Sequence, residues 1–263
     1  MVSKRRSRTA RARLAAWAAT AYGLACYGGF LATFGWTVAF VGDVGPLPTI
    51  DGPIRSAAGP AIAIDVGLLA LFGLQHSVMA RRAFKRRWQR FVPASVERST
   101  YVLMSSLVLA LLYWQWRPVG PLVIAVEGPL GRVALRSLQV CGWLLVLVST
   151  ALINHADLFG LRQVFCRLRG RRYFSPGFVS PGPYNIVRHP LYLGWLLAFW
   201  ATPRLSVGHL LFAAAMTFYV VIAIRFEERD LLAEHGPRYE RYRARIPMLV
   251  PFLRFRRRAG VRR

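Results

Sequence analysis

The residues able to do chemistry collect in four short groups, each at the end of an apolar run. They are Gln75-His76-Ser77, Asn154-His155-Ala156-Asp157, the stretch from Gly182 to Gly194, and Glu227-Glu228 within Arg225–Asp230. Imidazoles move protons near neutral pH. Carboxylates accept hydrogen bonds from ammonium and hydroxyl groups. In the third group Pro190 fits the first position of a helix, which makes His189 the N-cap. The free backbone N–H groups of such a helix start favour an anionic ligand group, and Gly194 permits close approach to that helix. Each group also has a plain structural role open to it. His76 can bond a neighbouring helix, Asn154 and His155 can cap carbonyls, and Glu227-Glu228 can form a solvated face. No metal is expected. Histidines 76, 155, 189, 209 and 235 form no i, i+3 or i, i+4 pair, and Cys26, Cys141 and Cys166 are far apart.

These groups need elements to position them, and composition says which. The chain has 263 residues, 55% of them hydrophobic, with 36 Lys and Arg against 11 Asp and Glu, for a net charge of +25. Charge and apolar residues are segregated. Apolar runs cover 14–42, 61–79, 101–116, 133–153, 191–202 and 206–224. A bilayer core of ~30 Å needs about 20 helical residues, which the 14–42 run supplies with room for tilt, while whether the last two runs cross fully is left open. The 191–202 run is too short alone, and it pairs with 206–224 as a hairpin. Asp65 and His76 share one face of the second run with Phe72, ~16 Å apart along the axis.

Segments 4–13, 81–98, 162–188 and 225–263 hold 31 of the 36 Lys and Arg. Their alternation with the apolar runs puts both termini in the cytoplasm. The charge then marks topology and contact with membrane lipid rather than nucleic acid, because every cluster flanks a span. The expected fold is all-α: a polytopic membrane helical bundle of five to six segments, the last two forming a hairpin, with a C-terminal helical cap in the cytoplasm. It is read as one domain over 1–263, with a basic tail at 1–13.

The stretch Arg188-His189-Pro190-Leu191-Tyr192-Leu193-Gly194, an apolar hairpin, and then Glu227-Glu228, Leu231, Gly236, Tyr239, Tyr242 and Pro251 resembles the C-terminal signature of the isoprenylcysteine carboxyl methyltransferase superfamily. That signature covers 180–251. Four further stretches are similar to the methanethiol S-methyltransferase branch of that superfamily: Gly73–Arg81, Glu97–Tyr101, Tyr113–Trp116 and Asn154–Gln163. Ala156 departs from the pattern, where a larger aromatic is expected.

The resemblance implies an integral membrane enzyme of the bacterial inner membrane that uses S-adenosylmethionine to methylate a small thiol, giving dimethyl sulfide from methanethiol. No Gly-x-Gly loop of the usual soluble cofactor fold occurs. By resemblance the cofactor is held by Tyr184, Val187, Arg188, His189, Pro190, Tyr192, Gly194, Glu227 and Glu228. A thiol needs a base or a cationic site to ionise. The expectation is that His76 or His155 takes the proton, Arg188 stabilises the anion, and Asn154 and Asp157 orient the histidine. Gln75, His76, Trp114 and Trp195 are expected to line the substrate pocket. The alternatives are a membrane methyltransferase acting on a prenylcysteine carboxylate or lipid amine, and a non-catalytic transporter whose polar groups line a path at the midplane.

Overall fold

A computed structural model describes residues 2–175 and 177–251, with side chains from residue 10 onward. Residues 252–263 of the basic C-terminal segment, and the side chains of 4–9 in the N-terminal one, lie outside that description. Helices follow the apolar runs: α1 (Val2–Gly42), α2 (Ala58–Ala80), α3 (Arg82–Trp88) and α4 (Ala94–Gln115). After strand β1 (Leu122–Ala125) come α5 (Pro129–Leu158) and α6 (Leu161–Leu168). A 3₁₀ turn (Gly182–Asn185) and α7 (Pro190–Trp200) lead to strand β2 (Arg204–Ser206), and α8 (Val207–His235) and α9 (Pro237–Arg245) close the described chain. Five segments are long and apolar enough to cross a membrane: Ala10–Gly42, Ala58–Ala80, Ala94–Gln115, Pro129–Leu168 and Val207–His235. The protein is a polytopic helical membrane bundle. Of the expected hairpin, α8 is long enough to cross alone. The 11-residue α7 is not, at ~16 Å.

The chain divides into two compact units. The first comprises Met1–Glu127, Asn154–Pro176 and Pro203–Met216. Here α1 packs along α4 and α6, and α2 lies against α4. The buried face of α2 carries Ala61, Asp65, Leu69, Phe72 and Met79, the helical stripe expected around Asp65. Asp65 is a structural residue, since its Oδ1 accepts the Arg117 N–H at 2.9 Å. The two strands pair antiparallel, a short ribbon within an otherwise helical bundle. Four- and three-residue strands are too short to show alternation in sequence. Beside β2, the Asp51 carboxylate accepts the Ser206 hydroxyl and lies 3.3 Å from His209 Nδ1, which ties the loop after α1 to the start of α8.

The second unit comprises Gly128–Ile153, Gly177–Thr202 and Thr217–Arg263. Its α5 and α7 cross at Gly142 and Gly194. A Cβ on Gly142 would meet Ala198 N at 2.7 Å and Gly194 O at 2.8 Å, and a Cβ on Gly194 would meet Gly142 O at 2.8 Å. Backbones touch there because neither side chain intervenes, the usual device of helices packed in lipid. Gln139 Nε2 donates to Ala198 O at 3.1 Å beside the crossing. Trp143 and Trp195 pack edge to face, with centroids 5.4 Å apart.

Candidate active site

The second unit builds a charged cluster around the start of α7. Pro190 occupies the first helical turn and His189 is the N-cap residue, as the sequence indicates. The turn holds Val187, His189 and Pro190 buried. Glu228, near the end of α8, reaches this turn. Its Oε1 accepts from Arg188 Nε at 2.7 Å, pairs with Arg188 Nη2 at 2.6 Å and lies 3.2 Å from His189 Nε2. Arg188 Nη1 donates to Arg243 O and Ile246 O at 3.1 and 2.6 Å. Two backbone bonds fasten the same turn to the chain after α9: Arg188 N–H to Pro247 O and His189 N–H to Met248 O, at 2.8 and 3.2 Å. Glu227 differs from its neighbour. Its side chain is 45% exposed and lies 4.0 Å from His189 Nδ1.

This geometry revises the expectation that Arg188 stabilises a thiolate. Four of its five donor directions are directed at Glu228 and at two carbonyls, so the guanidinium is a strap joining α7, α8 and α9. Gly194 is revised too. What approaches it closely is the backbone of Gly142, so it sets helix packing rather than a ligand contact.

Phenols surround the cluster. Phe178, Tyr239 and Tyr242 pack on one another at 5.1–5.8 Å between ring centroids, and Tyr242 donates to the Tyr184 carbonyl at 2.6 Å. Burial raises the pKa of all three tyrosines above the ordinary phenol value. For Tyr184 the charge of Glu227 adds to burial, and for Tyr239 that of Glu228 does. Tyr242 is pushed up to about 12, mainly by burial, with Arg188 opposing and Glu228 adding. All three stay protonated donors at neutral pH. The Tyr239 hydroxyl is buried and has no hydrogen-bond partner among the described residues. Tyr192 lies beside His189, with centroids 5.7 Å apart, and Trp195 packs on Phe199.

The first unit holds both candidate bases. His76 sits between two hydroxyls: Nδ1 lies 3.0 Å from Ser105 Oγ, and Nε2 lies 2.7 Å from Tyr101 Oη. His155 Nε2 lies 2.8 Å from Tyr27 Oη. One aromatic cluster joins the two. Phe30 and Phe159 stack at 3.9 Å. His155 and Tyr27 pack on Phe159, and Phe30 and Phe159 pack against buried Met79, Tyr101 and Val102.

Asn154 and Asp157 do not orient His155 by any described hydrogen bond. Asn154 has φ 98°, ψ 75° and breaks α5. Its Oδ1 accepts the Asp157 N–H at 3.2 Å, capping the turn that follows. Asparagine tolerates this left-handed backbone better than most residues. The Asp157 carboxylate accepts the Tyr173 hydroxyl at 3.1 Å and faces Arg162 at 3.5 Å. Tyr27 holds His155 instead, and sequence reasoning missed it. Only its place in an aromatic-rich stretch of α1 pointed that way. Gln75 Nε2 donates to Met79 Sδ at 3.1 Å. Trp114 is 64% exposed and faces outward from α4, so it does not line this region. Phe30, Phe159, Tyr27 and Tyr101 are the aromatic rings gathered about the two histidines. Among the described residues no group of three or more His, Cys, Asp or Glu could hold a metal.

A helical bundle with a charged cluster at one helix start and two hydroxyl-held histidines elsewhere defines a class beside its relatives. Residues 116–236 match the phospholipid methyltransferase family, and the chain is a membrane methyltransferase. It is 52% identical over 88% of its length to a methanethiol S-methyltransferase of Mycobacterium tuberculosis, covering 95% of that protein. It is 49% identical over 88% to one of Crocosphaera subtropica, covering 91%. The chain belongs to the methanethiol S-methyltransferase family. It is also 31% identical to mouse nurim over 77% of its length, covering 86% of that protein. No solved structure matches it.

Proposed function

We propose that this chain transfers the methyl group of S-adenosylmethionine to methanethiol, giving dimethyl sulfide and S-adenosylhomocysteine. It does so from the cytoplasmic face of a bacterial inner membrane, with both termini cytoplasmic. The observation that carries the reading is the near-full-length similarity to relatives bearing that name. An alignment over 88% of the chain takes in His76, Tyr101, His155, Arg188 and Glu228 wherever its ends fall. The phospholipid methyltransferase match supports a lipid substrate less well, because it begins at residue 116 and leaves out His76 and Tyr101.

The residues in the second unit fit the cofactor. Glu227 is the exposed carboxylate beside a tied one, and it suits an ammonium or ribose hydroxyls. The α7 start suits a carboxylate. Tyr239 brings a buried hydroxyl still to be satisfied, and the ring of Tyr192 suits a sulfonium by cation–π attraction. Tyr184 and Val187 wall the same turn. When bound, the cofactor supplies a methyl group made electrophilic by its sulfonium.

The proton is the task of the first unit. His76 or His155 accepts it on a ring nitrogen as the thiol S–H bond breaks and the electron pair stays on sulfur. The positive charge then rests on the imidazolium, and the thiolate sulfur is the nucleophile for the methyl group that the cofactor would supply. Tyr101 with Ser105 holds the ring of His76, and Tyr27 holds that of His155. Such partners fix the orientation of each ring. The Phe30–Phe159 cluster keeps water away from the reacting sulfur, which orients and desolvates it.

Purified protein incubated with S-adenosylmethionine and methanethiol should release dimethyl sulfide into the headspace. Phosphatidylethanolamine and a farnesylcysteine should give no methylated product. His76→Ala or His155→Ala should lower kcat ~100-fold, the usual size of a lost general base. Full turnover in both variants, or methylation of the lipid instead, overturns the reading.

A further inference from the structure

The connection between α2 and α4 has more charge than topology asks for. At Arg81 the chain leaves α2 in an extended conformation, φ −71°, ψ 138°, and turns at once into α3. Residues 81–92 hold Arg81, Arg82, Lys85, Arg86, Arg87 and Arg90, and no Asp or Glu. The side chains are sorted. Phe84 and Trp88, one turn apart, stack with centroids 5.5 Å apart on the half-buried side. Phe84 packs on the Met79–Tyr101–Val102 cluster. Arg82, Arg86, Arg87 and Arg90 are exposed, and so is Phe91, at 82%.

Two observations say what is missing. The Trp88 indole N–H is buried and has no acceptor among the described residues. Lys85 titrates below its ordinary value, through burial first and then the charge of Arg98, with Glu97 opposing and Arg82 adding. A crowd of cations beside an unmet N–H donor, at the end of a membrane span, calls for a ligand rich in anionic oxygens with an apolar body alongside.

We propose that the 81–91 hook is a docking site for an anionic phospholipid. Its phosphate is held by the exposed arginines, its acyl chains lie along Phe91, and seating it turns the Trp88 N–H outward to a headgroup oxygen. The bound headgroup presses Phe84 onto the cluster that holds Tyr101 against His76. That last consequence rests on the functional reading above, whereas the docking site does not.

Detergent-purified protein is offered equimolar phosphatidylglycerol and phosphatidylcholine and examined by native mass spectrometry. The wild type should retain phosphatidylglycerol several-fold over phosphatidylcholine. Arg86→Gln/Arg87→Gln/Arg90→Gln and Trp88→Phe should each lose that preference. Arg169→Gln/Arg171→Gln/Arg172→Gln, an equal loss of charge elsewhere, should keep it. Phosphatidylglycerol should also raise the melting temperature of the wild type and leave that of the hook triple variant unmoved. In bilayer discs, turnover of methanethiol should rise several-fold when phosphatidylglycerol joins phosphatidylcholine, and only in proteins with an intact hook. Equal retention of the two lipids by the wild type, or a preference lost equally in the Arg169 control, overturns the docking site. Selective retention with turnover indifferent to lipid overturns the pressing of Phe84. A protein inert toward methanethiol in every lipid breaks the functional reading, while retention and melting still decide the docking site.

Discussion

Glu227 and Glu228 are adjacent and chemically identical, yet successive positions on a helix differ by 100° in direction. One carboxylate is drawn into a partly buried fork with Arg188 and the other stays open. Glu228→Ala should therefore act first on stability. It strands the Arg188 guanidinium among carbonyls with no counter-charge, a loss of about 3 kcal/mol for a largely buried pair. Thermal unfolding in detergent should show a clear fall. Glu227→Ala should leave the melting temperature within a degree or two and weaken binding of S-adenosylhomocysteine at least tenfold, read by calorimetry. Arg188→Lys should resemble Glu228→Ala, because an ammonium cannot make the fork and the two carbonyl bonds together.

Tyr242 gives a pH test with a definite sign. Its phenol is pushed up to about 12 in the fold, through burial first, against ~10 in an unfolded chain. Below pH ~10 both states hold the proton, and the Tyr242 contribution is fully present. From ~10 to ~12 only the unfolded state releases it, so stability falls as pH rises. Melting temperatures from pH 9 to 11.5 should decline less steeply in Tyr242→Phe than in the wild type.

At the scale of elements, the α5–α7 crossing is the most exacting contact. Gly142→Ala or Gly194→Ala puts a methyl group within 2.7–2.8 Å of backbone atoms, and backbone cannot turn aside as a side chain can. Overpacking of this kind costs roughly 1–3 kcal/mol. Gly67→Ala on α2, with nothing within 4 Å of its Cβ, should instead be neutral or slightly stabilising. Melting curves of the three variants check the contrast.

The elements themselves were legible. Apolar length gave each long helix, Pro190 and Gly236-Pro237 gave helix boundaries, and the juxtaposition of Arg188-His189 with the acidic pair was foreseen. Which way a residue faces within an element was less legible. Trp114 and Trp116 are two apart on or beside α4, and only packing decides that the first is exposed and the second buried. Tyr27 lies 128 positions from His155 in sequence, and no local pattern announces a contact of that range. The kink at Asn154 reads equally well as a cap of the preceding turn or of the following one until its φ is seen.

At the scale of the whole molecule, the count of crossings matters. Five spans alone would leave the two termini on opposite sides of the bilayer. The basic segments ask for the same side. Both hold only if the chain between His189 and Ser206, helical for 11 residues and extended after that, makes the sixth passage. Reporter fusions test this. Green fluorescent protein should shine at both ends, and alkaline phosphatase should be active when fused after Glu127 or Arg204. A fluorescent N-terminus with a phosphatase-active C-terminus would reduce the count to five.

The bonds from the Arg188 and His189 amides to Pro247 and Met248 have one more consequence. These two hydrogens can trade for deuterium only when the tail segment lifts, so their exchange times the departure of the C-terminal latch. If that latch must rise to admit or release the nucleotide, a saturating product analogue will slow both amides together. The amides inside the glycine crossing will keep their own pace.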